Sequence, residues 1–144
     1  MRPIATSFDE GESMEEAEKM SVVILSLHQK WWQKMATGEK VLELRKTKPQ
    51  CGTPFRVLVY VTGGVGIAGE FICSEVTEIK DLKETERKSQ VPVHDIQNYA
   101  AGSRNKLYGW KVSAVRKYEK PLPLETLGIK RAPQSWQYIR CSHP

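Results

Sequence analysis

Residues 38–46, GEKVLELRK, hold the densest set of side chains that could do chemistry. Alternate side chains of a strand emerge on the same face, so Glu43 and Arg45 share a face with Val41. A carboxylate and a guanidinium on one strand face, beneath a basic rim, could hydrogen-bond a base edge and a phosphate together. This segment is therefore the first candidate for a binding site.

A simpler interpretation explains the same spacing. Glu43 and Arg45 could form an exposed ion pair on a solvated outer face, worth about 0–1 kcal/mol, and spacing alone favours this interpretation. Lys40 lies three positions before Glu43, so on a regular strand the two side chains face opposite sides. They converge only if Lys40 sits in the turn after Gly38, before the strand begins.

The tryptophan pair Trp31–Trp32 lies among the basic side chains of His28, Lys30 and Lys34. Adjacent residues of a helix point about 100° apart, so at most one of the two rings can lie deep in the core. We expect one buried and one half-buried ring. The half-buried ring beside lysines has the composition used to stack nucleic-acid bases, although packing is the commoner explanation.

Signals for metals, cofactors or a covalent nucleophile are weak. The three histidines are scattered without metal-ligand spacing, and the glycines over 63–66 lack the residues of a phosphate-binding loop. Cys51, Cys73 and Cys141 are widely spaced and form no CxxC pair. We treat them as buried or incidental, expect no metal and no cofactor, and favour a reducing cytoplasm.

The composition bounds the kind of protein. A chain of 144 residues that is 40% hydrophobic fits one compact domain with its own core. Its longest apolar runs are strand-length, well short of the roughly 20 apolar residues of a membrane helix. We expect no membrane segment and no secretory signal.

Charge is uneven along the chain. Residues 1–20 hold six acids and two bases, a net −4, whereas residues 21–144 hold 20 bases and 11 acids, a net +9. We predict an acidic, disordered leader over 1–20 and a folded domain over 21–144. The alternative for the leader is a tail that competes with polyanions for the basic surface. The basic body favours a polyanionic partner such as RNA or single-stranded nucleic acid.

Periodicity predicts several strands with short helices between them. Strands are predicted over 21–27, 40–46, 55–62, 67–79 and 107–117, helices over 28–37 and 93–101, an exposed helix or loop over 81–90, a turn of helix within 121–128, and a last short helix over 132–139 that begins near Pro133. This pattern predicts an α+β fold or a small barrel rather than a doubly wound sheet.

Two adjacent motifs resemble the ASCH family of PUA-like domains. SLHQKW over 26–31 precedes the family's hallmark G-x-K-x-x-E-x-R, present as GEKVLELR over 38–45. The later segments 57–60, 69–71, 108–115, 122–124 and 133–138 extend the resemblance over about residues 21–140. It implies a PUA-like mixed β-barrel of about five to six strands with short peripheral helices, and a cleft between barrel and helices that binds RNA. Some members of the family are linked to transcription coactivation or translation.

The leading hypothesis is RNA or modified-nucleotide binding in that cleft. Its predicted binding residues are Lys30, Trp31, Lys40, Glu43, Arg45 and Lys46. A small branch of the family hydrolyses the amide of acetylcytidine with a lysine, a threonine and a glutamate. The lysine matches Lys40, Glu43 occupies the threonine's position, and the glutamate aligns with no residue, with Glu84 and Glu86 merely nearby. The alternative is therefore an amidohydrolase with Lys40 and Glu43 catalytic. A third hypothesis is an adaptor domain whose cleft binds a protein segment.

Overall fold

The computed structural model describes residues 20–104 and 106–141. Within them the chain forms a curled six-stranded sheet with three short α-helices, an α+β half-barrel. This confirms the predicted fold class. The predicted acidic leader over 1–20 lies, apart from Met20, outside the described residues.

The elements follow the predicted order closely. They are β1 (Val22–Leu27), α1 (Gln29–Ala36), β2 (Leu42–Arg45), β3 (Phe55–Val61), β4 (Gly66–Glu78), α2 (Leu82–Ser89), α3 (Val93–Ala101), β5 (Tyr108–Leu122), a 3-10 turn (Leu124–Leu127) and β6 (Trp136–Arg140). The charged segment after β4 forms a helix, α2, capped by the Asp81 side chain, which accepts from the Glu84 amide. Strand β5 runs five residues past its predicted end at Lys117.

The strands lie in the order β2-β5-β4-β3-β1-β6. Strands β1 and β3 pair in parallel, and the other neighbours are antiparallel. Every residue of β1 except Ser26 is buried, as expected of a strand covered on both faces. The parallel pair therefore forms the centre of the apolar core.

The sheet buries both of its faces. Its concave face packs the larger cluster, with Trp32 of α1 against residues such as Val57 and Phe71. The opposite face holds Ile24 and Leu58 beneath the 3-10 turn. At Gly69 a Cβ atom would lie 2.5 Å from the Trp32 ring, so only glycine lets the helix approach the strand this closely.

Side chains join the two edge strands, β2 and β6. Arg45 donates to Ser135 Oγ at 3.0 Å, Trp136 donates to Thr47 Oγ1 at 2.9 Å, and the backbone N–H of Gln50 donates to the Tyr138 hydroxyl at 2.7 Å. We call these three hydrogen bonds the seam. Within the described residues the sheet curls toward closure through the seam rather than through a β2–β6 backbone ladder.

The helix predicted over 132–139 is wrong. Residues Trp136–Arg140 form β6, which pairs antiparallel with β1. The Trp136 and Tyr138 rings pack edge-on at 5.2 Å, a spacing of two that fits a strand better than a helix. The open edge of β1 outweighed the local signal of Pro133. No helix in residues 20–104 and 106–141 is long and apolar enough to cross a bilayer.

Candidate functional site

A cavity of about 390 Å³ opens at the end of β1, between the seam and α3. Strand β2 and the turn before it supply its ionic side chains, and α3 supplies Asp95, Ile96 and Tyr99. The other lining residues are Ser26, Leu27, His28, Trp31, Lys40, Glu43, Leu44, Arg45, Thr62, Val91 and Gln134. Its volume lies within the roughly 300–1,000 Å³ typical of ligand pockets.

Three ionic side chains meet in this cavity, and we call Lys40, Glu43 and Arg45 the cavity cluster. Lys40 Nζ lies 3.4 Å from Glu43 Oε1, and Arg45 Nε and Nη2 each lie 2.8 Å from Glu43 Oε2. Each carboxylate oxygen of Glu43 therefore faces one cation. Lys40 and Glu43 are buried and Arg45 is half-buried, so the cluster is held in place while one side remains open to the cavity.

The turn between α1 and β2 brings Lys40 onto the same side as Glu43. Gly38 adopts a left-handed φ of 85° as α1 ends, and the Lys40 amide then donates to the Lys34 carbonyl at 2.9 Å. Lys40 thus precedes β2 and is free of the strand's alternation. Its Nζ donates to the Ser89 carbonyl at the end of α2, at 2.8 Å.

Burial dominates the electrostatics of Lys40. Desolvation lowers the pKa of its ammonium below the usual value, and the neighbouring Glu43 carboxylate opposes that shift without cancelling it. The ammonium also lies 4.9 Å from the centre of the Trp31 ring. A carbonyl, a carboxylate and an aromatic face therefore surround one buried cation.

Arg45 ties the cavity to the seam. Its Nη1 donates to Ser135 Oγ, and its Nη2, which contacts Glu43, also donates to the Ser26 carbonyl at 2.9 Å. The Ser26 hydroxyl donates in turn to the Pro133 carbonyl at 2.6 Å. The guanidinium thereby connects the end of β1, strand β2 and the segment before β6.

The structure divides the predicted binding residues into two groups. Trp31, Lys40, Glu43 and Arg45 line the cavity, whereas Lys30 and Lys46 lie outside its lining. Lys30 Nζ sits 4.7 Å from the Trp31 ring centre, at the rim. Lys46 Nζ sits 4.7 Å from the ring centre of Tyr99, beside the cavity. Of the tryptophan pair, Trp32 is buried in the core and Trp31 is half-buried, as expected.

Sequence reasoning missed several lining residues because they come from distant segments. Asp95 and Tyr99 belong to α3, and Gln134 precedes β6. Asp95 and Tyr99 stand in no motif, and Gln134 belongs to the segment 133–138 of the family resemblance but was not assigned to the site. The four-residue step from Asp95 to Tyr99, which places both on one helix face, was the available signal, but it could not reveal which surface that face covers.

The two glutamates considered for the amidohydrolase alternative lie elsewhere. Glu84 bonds Arg87 and lines a separate groove beside β2, and Glu86 Oε1 accepts from the Val93 amide at 2.7 Å. The carboxylates that line the cavity are those of Glu43 and Asp95.

Metal and thiol chemistry find no support in the described part of the chain. No group of three or more His, Cys, Asp or Glu side chains there could hold a metal ion. All three cysteines are free, and burial raises the pKa of the Cys73 thiol to about 12, which leaves it without a nucleophilic thiolate.

The curled sheet, its short helices and the cavity between them define a small PUA-like α+β domain. A sequence model of the ASCH domain matches residues 25–122. The chain belongs to the ASCH family, which is PUA-like and associated with RNA binding. No curated protein matches this chain with statistical significance.

The fold is similar to that of solved ASCH structures. The ASCH protein of Zymomonas mobilis superposes with a TM-score of 0.70 at 19% identity, covering 83% of this chain and 87% of that one. Two point mutants of that protein also give a TM-score of 0.70, each at 18% identity and 83% coverage of this chain, with 90% and 88% of theirs covered.

Proposed function

We propose that this protein binds RNA, or a modified nucleotide within it, by admitting an unpaired nucleotide into the cavity. The observation that carries the proposal is the convergence of Lys40, Glu43 and Arg45 in one open cavity beside Trp31. RNA-binding domains commonly read single-stranded bases by stacking them on aromatic rings and bonding their edges.

The cavity cluster offers both kinds of hydrogen-bonding group. Glu43 accepts, whereas Lys40 and Arg45 donate, and their mutual bonds fix all three before a ligand arrives. Fixed groups cost little entropy on binding. A base edge that presents a donor beside an acceptor fits this arrangement, and the net +9 of residues 21–144 supports attraction of the phosphates.

The first test replaces Lys40 with methionine, which keeps an unbranched side chain one atom shorter and removes its charge. We expect Lys40→Met to weaken single-stranded RNA binding about tenfold or more, since a charge-assisted contact is worth roughly 1.5–3 kcal/mol. Fluorescence anisotropy with a labelled oligoribonucleotide, titrated at several salt concentrations, measures the affinity and its salt slope.

Lys88→Met is the matched control. Lys88 Nζ lies 3.5 Å from Glu84, nearly the separation of Lys40 and Glu43, but it lines the other groove. Equal affinities of the two variants, or a wild-type affinity that does not depend on salt concentration, would contradict the proposal.

A role in translation or transcription, in a reducing cytoplasm that leaves the three thiols free, extends the same proposal.

A second candidate is amide hydrolysis of an acylated nucleoside such as acetylcytidine. The observation that favours it is the 3.4 Å approach of Lys40 to Glu43 in the cavity, which brings a cation for an oxyanion next to a carboxylate base. It ranks second because each oxygen of Glu43 already faces a cation. Loss of acetyl absorbance during incubation with acetylcytidine tests it, and turnover unaffected by Glu43→Ala would remove it.

A further inference from the structure

Two lysine–tyrosine pairs lie beyond the cavity. Their lysines belong to the segment that follows β2, and their tyrosines belong to α3 and β5. Lys46 Nζ is 4.7 Å from the ring centre of Tyr99, and Lys48 Nζ is 5.5 Å from that of Tyr108. Both lysines are exposed and both rings are half-buried. Tyr99 also lines the cavity, so the first pair begins where the cavity ends. We call Lys46, Lys48, Tyr99 and Tyr108 the track.

Alternation along the chain separates the track from the seam. Arg45 and Thr47 bond Ser135 and Trp136 across the seam, whereas Lys46 and Lys48 contact the tyrosines. The same short segment therefore supports the seam on one side and displays cations on the other.

The backbone holds the two tyrosines at the lysines' side. In the β2–β5 ladder Arg45 is paired with Tyr108, so the chain leaving β2 passes the start of β5. Gly102 ends α3, and a Cβ atom there would lie 3.0 Å from Lys46 Nζ. The end of α3 therefore lies in close contact with the ammonium that faces Tyr99.

Within the described residues, the track lysines differ from two other exposed lysines in having no acidic partner. Lys88 and Lys106 form ion pairs with Glu84 and Glu78. Among residues 20–104 and 106–141, no ion pair involves Lys46 or Lys48. An exposed ammonium on an aromatic face is held only weakly, so a phosphate can draw it away at little cost.

We infer that the track binds the nucleotides adjoining the one in the cavity, so that the ligand is a single-stranded stretch rather than an isolated nucleotide. On binding, each lysine leaves its ring for a phosphate, and the vacated tyrosine face accepts a base. This inference rests on the proposed function, because the cavity fixes the first nucleotide and the track fixes those that follow.

The experiment compares a nucleoside monophosphate with a single-stranded RNA hexamer as ligands of the whole chain, by isothermal titration calorimetry at several salt concentrations. We expect wild type to prefer the hexamer. In the double variant Lys46→Ala/Lys48→Ala that preference should shrink about tenfold or more, and the salt slope should fall by about 1.4, which is 0.7 for each of two phosphates.

Lys83→Ala/Lys120→Ala is the matched control, because it removes two exposed lysines that belong to neither the cavity nor the track. Tyr108→Leu tests stacking separately and should weaken hexamer binding without changing the salt slope. Hexamer affinity and slope equal in the track and control variants would overturn the inference.

The two proposals fail in different ways. If Lys46→Ala/Lys48→Ala weakens hexamer binding while Lys40→Met and Trp31→Ala do not, the track is a binding surface and the cavity is not. If the cavity variants weaken binding and the track variant matches its control, the cavity proposal stands and the track is refuted. If wild type binds neither ligand, both are refuted.

Discussion

Within residues 20–104 and 106–141 the protein buries two ionic clusters, and their surroundings differ. The cavity cluster of Lys40, Glu43 and Arg45 borders an open hollow. A second group, which we call the core cluster, joins Arg56 of β3, Glu70 of β4 and Tyr118 of β5. Arg56 Nε lies 3.5 Å from Glu70 Oε2, and the Tyr118 hydroxyl donates to Glu70 Oε1 at 2.6 Å.

The core cluster is closed to solvent. Arg56 and Glu70 are each 1% exposed, and apolar residues such as Ile24 and Leu58 form the cluster around Tyr118. Buried ions that pair across neighbouring strands specify strand register, since a slip would separate the two charges. The difference teaches that burial of charge alone does not mark a binding site. The proposed binding site at the cavity cluster is supported instead by the adjoining cavity, toward which its donors and acceptors are turned.

The largest expected effect comes from breaking the core cluster. Glu70→Ala leaves the Arg56 guanidinium buried without its carboxylate, so we expect the free energy of unfolding to fall by about 3–5 kcal/mol. Urea denaturation measures it. Glu119→Ala, an exposed site on the same strand as Tyr118, should stay within about 0.5 kcal/mol of wild type. If Glu70→Ala lowers the free energy of unfolding no more than Glu119→Ala does, the core cluster does not stabilise the fold.

A smaller effect is expected when the cavity cluster loses its carboxylate. In Glu43→Ala, water from the cavity can solvate Lys40 and Arg45, so the loss of unfolding free energy should be about 1–2 kcal/mol. RNA affinity should fall as the two cations lose their common anchor. The same denaturation series tests the comparison directly. Equal losses for Glu43→Ala and Glu70→Ala would show that the open side of the cavity cluster gives no relief.

The smallest expected effect is a pH dependence from Lys40. Burial lowers the pKa of its ammonium in the folded state below 10.5, so the unfolded chain binds more protons as the pH approaches 10.5. The penalty of burying the charged form is present at neutral pH and is relieved as the pH rises through the folded pKa toward 10.5.

The measurement is the difference in unfolding free energy between wild type and Lys40→Met, at pH 7 and again near pH 10. Subtraction removes groups common to both proteins, such as Cys73, whose raised pKa acts in the opposite direction. We expect wild type to gain stability relative to the variant at the higher pH. If wild type instead loses stability relative to Lys40→Met at the higher pH, attraction to Glu43 outweighs desolvation at Lys40.

Local patterns predicted most of the fold and part of the site. The β-branched run of β1 and the alternation of GEKVLELRK define their strands without further help. Gly38 allowed the turn in which Lys40 meets Glu43, but the sequence alone did not decide between that turn and a regular strand. The turn places Lys40 through its amide bond to the Lys34 carbonyl. The Ser89 carbonyl, which α2 brings from 49 residues away, then accepts from its ammonium.

The remaining errors have the same origin in distance along the chain. Pro133 favoured a helix because its signal is local, whereas the pairing of β6 with β1 joins opposite ends of the domain. The core cluster left a clue that was not used. Arg56 and Glu70 each interrupt an apolar strand, and two such charges can be buried only together.

The seam has a further consequence for how this scaffold can diversify. Backbone ladders constrain both partners at every position, but three side-chain bonds can each be replaced by a single codon change while all strand pairings persist. Substitutions in the seam can therefore change the mouth of the cavity without changing the fold. Relatives that share this fold can differ in the width and polarity of the opening.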